Sequence, residues 1–265
     1  MNNIGAHVDE ITAIEEAKQL SVPIVQISLG DPRSWKAPKV SFDGGAEGLK
    51  AAAQEAGVGI YVHAPYVINV ASLNNRIRIP SRKLLQQTLD AAASFGALGV
   101  VVHGGHVTAD DDPEVGYENW FKAVDGLNIS CPMLIENTAG GKSAMMRFSD
   151  SIARVWDAIS ASENFEHVGM VFDTCHANGS GEDMLEMIEK MNELTGGISL
   201  VHLNDSRDQP GTGADRHANL GQGTLGEQLI IETLKLADAP AILETPGGLE
   251  GQSGDLKWLA ERLKA

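Results

Sequence analysis

Short apolar runs recur along the chain, and amphipathic stretches fill most of the gaps between them. Eight runs start at intervals of 20 to 43 residues, at positions 4–6, 24–29, 58–62, 98–102, 133–135, 169–172, 198–201 and 241–243. Positions 81–95, 148–159 and 182–194 repeat apolar residues at helical spacing. Strands that are apolar throughout, rather than alternating, are typical of a parallel sheet buried on both faces. The pattern therefore predicts a series of βα units.

The number of these units indicates one architecture. Eight βα units in 265 residues fit a (β/α)8 TIM barrel of the α/β class, for which about 250 residues is typical. The chain contains no linker or low-complexity tract, so residues 1–265 are predicted to form a single domain. No apolar run reaches the roughly 18 residues of a membrane span, and no signal peptide is recognisable. The two cysteines, Cys131 and Cys175, indicate no disulfide framework, so we expect a cytoplasmic location.

Almost every apolar run ends on, or just before, a residue that can bind a metal ion. In a barrel of parallel strands these residues converge at the carboxyl-terminal face, where TIM-barrel active sites lie. The candidate ligands are His63, His103, Glu136, Asp173, His176, His202, Asp215, His217 and Glu244. Imidazole and carboxylate together suit Zn²⁺, Mn²⁺ or Fe²⁺ better than Ca²⁺ or Mg²⁺. Nine ligands are too many for one ion, so we predict two or three ions that share carboxylates.

Alternatives stay open for two other histidines and for one cysteine. A lone histidine near a strand end is more often a structural residue than a ligand. His7 ends the first run without an evident partner, so we expect it to support the ligands rather than to bind metal. His106 is equally compatible with a supporting role and with solvent exposure. Cys175 could supply a thiolate, but Asp173 and His176 beside it are better ligands, which favours a packing role.

The charge of the chain bears on its partners. A formal net charge of −16 argues against nucleic acid, because phosphate binding depends on lysine and arginine. The distribution of the basic residues weakens this argument. Of 20 basic residues, 11 lie in predicted loops after strands or at the helix starts that follow: Arg33, Lys36, Lys39, Arg76, Arg78, Arg82, Lys83, Lys142, Arg147, Arg207 and Arg216. Bound divalent ions would add positive charge, so an acidic protein with a basic mouth is compatible with DNA.

Seven stretches resemble the endonuclease IV family of apurinic/apyrimidinic (AP) endonucleases, and the match spans essentially the whole chain. They are residues 5–8 (GAHV), 63–69 (HAPYVIN), 136–140 (ENTAG), 173–176 (DTCH), 202–205 (HLND), 215–217 (DRH) with 220–223 (LGQG), and 243–245 (LET). The resemblance implies three zinc ions, in part replaceable by Mn²⁺. The first ion would be held by His63, His103 and Glu136. The second would be held by Glu136, Asp173, His202 and Glu244, and the third by His176, Asp215 and His217.

The resemblance also implies an activity in base excision repair. Family members hydrolyse the phosphodiester 5′ to an abasic site in double-stranded DNA, leaving a 3′-hydroxyl and a 5′-deoxyribose phosphate. A metal-activated hydroxide would attack, and Glu136 would bridge two ions and position it. The expected DNA contacts are Arg33, Tyr66, Val67, Arg76, Arg78 and Arg216, and the residues expected behind the ligands are His7, Asn137 and Asn204. The acidic outer helices show no self-complementary apolar stripe, so we expect a monomer that associates with the nucleoid through DNA.

Three departures and one rival activity qualify this hypothesis. Residues 104–106 (GGH), Asn178 and Ser34 differ from common family residues, which bears on DNA affinity and lesion preference rather than on the ligands. The rival is a divalent-metal sugar isomerase or epimerase on the same barrel. It would use Glu136, Asp173, His202 and Glu244. It would need neither the two histidines at 63 and 103 nor the pair at 215 and 217. Metal content separates the two, with about three zinc ions favouring the nuclease and about one manganese or cobalt the isomerase.

Overall fold

Eight parallel strands close into a barrel in the computed structural model, which describes residues 3–263. The barrel strands are β1 (Ile4–His7), β2 (Ile24–Ser28), β3 (Gly59–His63), β4 (Gly99–His103), β5 (Met133–Glu136), β6 (Val168–Asp173), β7 (Leu200–His202) and β10 (Ala241–Leu243). They follow chain order around the barrel, and β10 closes it by pairing with β1. Two short strands, β8 (Asp205–Ser206) and β9 (His217–Ala218), form a separate antiparallel pair. The predicted (β/α)8 fold is confirmed.

Helices follow the barrel strands and cover their outer face. They are α1 (Ala13–Leu20), α2 (Gly45–Ala56), α3 (Asn75–Phe95), α4 (Pro113–Gly126), α5 (Ser149–Ser160), α6 (Thr174–Ser180), α7 (Met184–Thr195), α8 (Glu227–Ala237) and α9 (Gly248–Arg262). One 3₁₀ turn, Phe165–His167, precedes β6. None of the helices within residues 3–263 is long and apolar enough to cross a membrane.

Side chains inside the barrel form two layers. The lower layer is a separate apolar cluster of Ile24, Tyr61, Val101, Leu134, Val171, Leu200 and Ile242. Residues two positions apart on a strand point to the same side, so the next inward position on each strand lies directly above this cluster. Those upper positions are Gln26, His63, His103, Glu136, Asp173, His202 and Glu244, which we call the ligand layer. Since both faces of the sheet are buried, the strands read as continuous apolar runs up to this layer.

The strand register brings members of the ligand layer side by side. β4 and β5 pair His103 with Glu136, and β6 and β7 pair Asp173 with His202. The fold alone therefore places imidazoles next to carboxylates at the mouth of the barrel.

Helix α3 begins six residues earlier than the predicted position 81, at Asn75. The side chain of Asn74 caps it by accepting a hydrogen bond from the backbone N–H of Arg76 at 2.9 Å. Pro80 is the sixth residue of this helix, where it cannot donate to the carbonyl of Arg76. The basic residues at 76 and 78 therefore lie on a helix start rather than in a loop.

Candidate metal centre

The nine predicted ligands meet at the mouth of the barrel. Seven of them end barrel strands or begin the turn after one, and Asp215 and His217 reach the mouth from the β8–β9 pair. Within residues 3–263, the groups whose donor atoms all lie within 4.8 Å of one another include three that match the predicted division. They are His63 with His103 and Glu136; Glu136 with Asp173, His202 and Glu244; and His176 with Asp215 and His217.

Glu136 is shared between two of these groups. Its Oε2 lies 3.4 Å from Nε2 of His63 and 3.2 Å from Nε2 of His103. Its Oε1 lies 2.9 Å from Nδ1 of His202 and 3.3 Å from Nδ1 of His176. The side chain is fully buried at the end of β5. A carboxylate that turns one oxygen to each of two histidine groups has the geometry of a bridging ligand.

The second group lies around the imidazole of His202. Nδ1 of His202 is 3.3 Å from Oε2 of Glu244 and 4.0 Å from Oδ2 of Asp173. His202 and Asp173 are fully buried, and Glu244 is half-buried. One imidazole and three carboxylates thus face one point from four neighbouring strands.

The third group lies at the outer edge of the mouth. Asp215 places one oxygen 3.1 Å from Nε2 of His176 and the other 3.1 Å from Nε2 of His217. His176 is on α6, which begins directly after β6 because Asp173 caps it by accepting the N–H of His176 at 2.6 Å. Asp215 is the most exposed ligand, with 47% of its side chain accessible, so this group is open to a substrate.

Cys175 lies near Asp173 and His217, and its sulfur could in principle join them as a ligand. Burial raises the pKa of the Cys175 thiol to about 12, and the nearby Asp173 carboxylate adds to that shift. Asp173 and His217 already belong to the second and third groups, and the Cys175 side chain is fully buried, so the structure agrees with the packing role expected for this residue.

Three of the histidines are oriented by backbone carbonyls. Nδ1 of His63 donates to the carbonyl of Ala64 at 2.8 Å, and Nδ1 of His176 donates to the carbonyl of Asn137 at 2.8 Å. Nδ1 of His217 donates to the carbonyl of Glu244 at 3.2 Å. A hydrogen bond at one ring nitrogen leaves the lone pair of the other free for a ligand. In each of these residues Nε2 is therefore the donor atom that faces the mouth.

The expected supporting residues do lie behind the ligands. The side-chain oxygen of Asn137 accepts the backbone N–H of Asp173 at 2.7 Å, and its amide donates to the carbonyl of Asp173 at 3.0 Å. Asn204 donates to Oδ2 of Asp173 at 2.8 Å and accepts the backbone N–H of Glu244 at 2.9 Å. Nδ1 of His7 is 3.8 Å from Oε1 of Glu244, and burial lowers the pKa of His7 to about 4. His7 is therefore neutral beside this carboxylate.

Gln26 lies among the predicted ligands, and the sequence analysis did not single it out. Its side chain, fully buried on β2, occupies the ligand layer between His202 and Glu244. The available signal was a single amide in the otherwise apolar run at 24–29, two residues after the apolar-layer residue Ile24.

The electrostatics of the mouth fit a divalent cation. Burial alone would lower the pKa of His202, but Glu244 and Glu136 outweigh it and raise this pKa to about 9. Burial opposes the charge of His217 in the same way, but Asp215 and Asp173 raise its pKa to about 9. Without a cation, protons on these imidazoles must therefore balance the buried carboxylates. A bound metal ion balances the same charge and leaves the imidazoles neutral.

Two ligand atoms at the mouth form no regular hydrogen bond. Oε2 of Glu136 and Nε2 of His217 are buried without one among residues 3–263, although ion-pair partners lie 3.2 Å and 3.1 Å away. A buried polar atom without a hydrogen bond is costly, and each of these two atoms belongs to a predicted ligand. The residues present therefore fit a metal cluster.

Two predicted DNA-binding loops touch each other at the rim. The backbone N–H of Tyr66 donates to the carbonyl of Pro32 at 2.8 Å, which places Tyr66 next to Arg33. The Arg33 side chain is 83% exposed. The Tyr66 ring is half-exposed, and its centroid lies 5.0 Å from the ring of His63. Val67 and Tyr66 line a groove of about 760 Å³ that runs from His103 along the rim.

The basic residues predicted at the mouth differ in whether their guanidinium groups already have partners in the protein. Arg76 is exposed at the start of α3. Arg78 donates to the carbonyl of Ser72 at 3.0 Å and so holds the preceding loop. Arg216 is exposed but forms a two-point ion pair with Asp208.

Two other arginines of the basic set lie elsewhere. Arg147 is buried and donates to the carbonyl of Gly179 at 2.8 Å. The guanidinium of Arg82 lies beside Gly126, the last residue of α4. The positive rim is therefore smaller than the distribution along the sequence suggested, because several arginines bind backbone carbonyls or lie on the flank.

The residues at 104–106 and 178, which differ from common family residues, have structural roles. A Cβ atom at Gly104 would lie 2.0 Å from Cγ of Met146, so the packing there requires glycine. His106 is exposed in the groove, and its backbone N–H and carbonyl both bind the side chain of Asn69. The amide of Asn178 donates to the carbonyl of Asp208 at 2.9 Å and so supports the loop that carries Asp215.

Comparisons with known proteins agree with this geometry. A family model described as "Xylose isomerase-like TIM barrel" matches residues 14–262. The chain is also 49% identical over 262 residues to a Mycobacterium marinum protein named "Probable endonuclease 4", and the alignment covers 99% of both proteins. The chain belongs to the endonuclease IV family. The resemblance predicted from the seven stretches is thereby confirmed.

Solved structures with different names share this fold. Endonuclease IV from Thermus thermophilus shares 28% identity with the chain, with a TM-score of 0.83 and coverage of 99% of both chains. A D-tagatose 3-epimerase-like protein has a TM-score of 0.79 at 19% identity, over 100% of this chain and 97% of that one. The second likeness shows the shared barrel alone. The isomerase or epimerase alternative is not favoured.

Proposed function

We propose that the chain is a zinc-dependent AP endonuclease that hydrolyses the phosphodiester 5′ to abasic sites in double-stranded DNA. The products would be a 3′-hydroxyl and a 5′-deoxyribose phosphate. The observation that carries this proposal is the position of Glu136, whose two carboxylate oxygens face two separate histidine groups beside a third. Membership of the endonuclease IV family supports the same activity.

The three groups would hold three zinc ions, some of which Mn²⁺ could replace. His63, His103 and Glu136 would hold the first ion. Glu136, Asp173, His202 and Glu244 would hold the second, and His176, Asp215 and His217 the third. Clustered divalent ions lower the pKa of water toward neutrality and stabilise the charge that develops on phosphate oxygens. The mixture of imidazole and carboxylate donors favours zinc over magnesium.

The protein's own residues would position the substrate and the reacting atoms. Glu136 is held rigidly by burial, so it can keep two groups at a constant separation. Tyr66 and Arg33 stand at the rim, where they would enter the duplex beside the lesion. An abasic nucleotide has lost its stacking and pairing, so it is rotated out of the helix at low cost. A narrow mouth would thus select damage without reading sequence.

Two groups in the mouth have no use in a sugar isomerase. A single-metal isomerase would use Glu136 with Asp173, His202 and Glu244. An isomerase of this kind does not require His63 and His103 to converge on Oε2 of Glu136. It also does not require Asp215 to lie between His176 and His217. The nuclease explains all three groups.

The assembly and location are part of the proposal. The exposed large apolar side chains among residues 3–263 lie on different segments of the chain, and Trp35 and Tyr66 line the groove at the mouth, where DNA is proposed to bind. The full set is Ile11, Trp35, Tyr66, Ile79, Leu98 and Leu236. We therefore propose that the protein acts as a monomer. Since its substrate is DNA, we propose that it works at the nucleoid.

Product analysis tests the proposed activity. A duplex labelled on the damaged strand and carrying one abasic site should be cut once, on the 5′ side of the lesion. The 3′ end produced should be a substrate for a DNA polymerase, which requires a 3′-hydroxyl. Cleavage on the 3′ side, or epimerisation of a ketose without DNA cleavage, would contradict the proposal.

Arg33→Ala and Tyr66→Ala should weaken binding to abasic duplex while metal content stays unchanged. Both residues stand at the rim and neither belongs to a donor group. The loss of one aromatic contact to nucleic acid costs about 1–3 kcal/mol, which corresponds to roughly tenfold to hundredfold weaker binding. Filter binding and metal analysis of the purified variants measure the two quantities. Arg154→Ala and Tyr117→Ala are matched controls, since these residues pair with each other on the barrel flank. Parent-like binding by both rim variants would show that these loops do not enter DNA.

Arg76→Gln should reduce the salt dependence of DNA binding, whereas Arg82→Gln should not. Arg76 is exposed at the start of α3, on the side of the mouth, whereas the Arg82 guanidinium lies against α4. Loss of one phosphate contact lowers the slope of log K against log salt by about one. Binding isotherms at several salt concentrations measure it. Equal slopes for Arg76→Gln and the parent would place the DNA elsewhere on the barrel.

A further inference from the structure

Gln26 forms three side-chain contacts in the ligand layer. Its Oε1 lies 2.9 Å from Nε2 of His202, and its Nε2 lies 2.7 Å from Oε1 of Glu244. The same Nε2 lies 3.0 Å from Nδ1 of His7. The side chain is fully buried, so solvent cannot replace any of these partners.

These contacts assign the hydrogen atoms of the network. A carboxylate can only accept, so the atom of Gln26 that faces Glu244 is the amide nitrogen. The amide oxygen must then face His202, and it requires a proton on Nε2 of that imidazole. The amide donates its second hydrogen to Nδ1 of His7. Nδ1 must then be an unprotonated acceptor, which agrees with a neutral His7. The oxygen and both hydrogens of the Gln26 amide thereby have partners.

The assignment decides which nitrogen of His202 can bind metal. With its proton on Nε2, His202 presents the lone pair of Nδ1, and Nδ1 is the atom that faces Glu136 and Glu244. This is the reverse of His63 and His176, in which Nδ1 donates to a backbone carbonyl and Nε2 faces the mouth. In His202 the hydrogen bond that fixes the ring comes from a side chain, so a mutation of that side chain can remove it.

We propose that Gln26 is a positioning residue of the second metal group, which fixes the ligating nitrogen of His202 and the orientation of Glu244. This inference rests on the metal cluster of the proposed function. Gln26 acts on two ligands of one ion through the two ends of one rigid amide. Residues that hydrogen-bond to metal ligands commonly change metal affinity or activity by about ten- to hundredfold when mutated.

Two substitutions separate the two ends of the amide. Gln26→Met keeps a similar volume but removes both the acceptor for His202 and the donor for Glu244. Gln26→Glu retains an acceptor for Nε2 of His202 but places a carboxylate against Oε1 of Glu244. Gln252→Met is the matched control, since Gln252 is a buried glutamine whose side chain donates to the backbone carbonyl of His7 at 2.8 Å.

The experiment measures zinc affinity by competition with a chelator, and the imidazole tautomers by ¹⁵N–¹H correlation spectra of the zinc-loaded protein. The parent should show an imidazole with its proton on Nε2. Gln26→Met should lose that signal and bind its weakest zinc equivalent about ten- to hundredfold less tightly. Gln26→Glu should keep the signal and still bind more weakly, and Gln252→Met should match the parent in both.

Parent-like affinity and spectra in Gln26→Met would overturn the proposal, because Gln26 would then only fill space. If Gln26→Met fails to fold, Gln26→Glu decides, since unchanged zinc affinity in that variant contradicts the role at Glu244. Neither measurement uses DNA. A parent protein that binds zinc but leaves abasic duplex intact would therefore count against the proposed function and not against the role of Gln26.

Discussion

Replacing Glu136 with glutamine is expected to nearly abolish cleavage of abasic duplex DNA while the barrel stays folded. A glutamine side chain has one acceptor oxygen, whereas the two oxygens of Glu136 serve two histidine groups. The amide nitrogen would face one group as a donor and so remove a ligand from it. We expect the cleavage rate to fall by about a hundredfold to a thousandfold, as for other losses of charge stabilisation in a transition state. Zinc content should also fall.

Rates on abasic duplex, metal content and circular dichroism of the purified variant test this expectation. Glu166→Gln is the matched control, because Glu166 is 78% exposed in the 3₁₀ turn before β6 and far from the mouth. Full activity together with parent-like zinc content in Glu136→Gln would contradict the bridging role.

Removing the metal ions is expected to abolish cleavage and to make the stability of the barrel fall as the pH rises. The pKa values of His202 and His217 are raised to about 9 in the folded protein, above the ordinary value of 6.5. The folded state then holds protons that the unfolded state releases. The resulting stabilisation is fully present below pH 6.5 and is lost as the pH rises toward about 9. The melting temperature of chelated protein should therefore decrease between pH 6.5 and 8.5.

Zinc should reverse this dependence, because the metal takes the place of the protons on the imidazoles. Binding to deprotonated ligands becomes tighter with pH, so the zinc-loaded protein should not lose stability over the same range. Each kcal/mol of stability corresponds to about 2–4 °C in a protein of this size, so the shift is measurable by calorimetry. A chelated protein whose melting temperature rises from pH 6.5 to 8.5 would contradict the charge balance described for the mouth.

The sequence contained enough information to predict the fold and the convergence of the ligands. Eight apolar runs with helical stretches between them specify a closed parallel barrel. Parallel strands end at one face, so Glu136 and His202 had to approach each other although 66 residues separate them. Asp173 and His176, three residues apart, lie on the first turn of α6.

Other features depend on where side chains point, which the pattern of apolar runs does not reveal. Gln26 resembles any polar residue in a strand until the barrel shows that it faces inward beside His202. Arg78 and Arg147 looked available to phosphate, but both donate to backbone carbonyls that the folded loops bring within reach. The pair β8–β9 is too short to be recognised from apolar residues.

We propose that the three groups of the mouth act together on DNA, and a zinc titration tests this cooperation most directly. Chelated protein would receive zinc in steps while cleavage of a duplex with one abasic site is followed. We expect little cleavage until all three groups are filled, with full activity at about three equivalents per chain. Full activity at one equivalent, or no cleavage when three are bound, would contradict it.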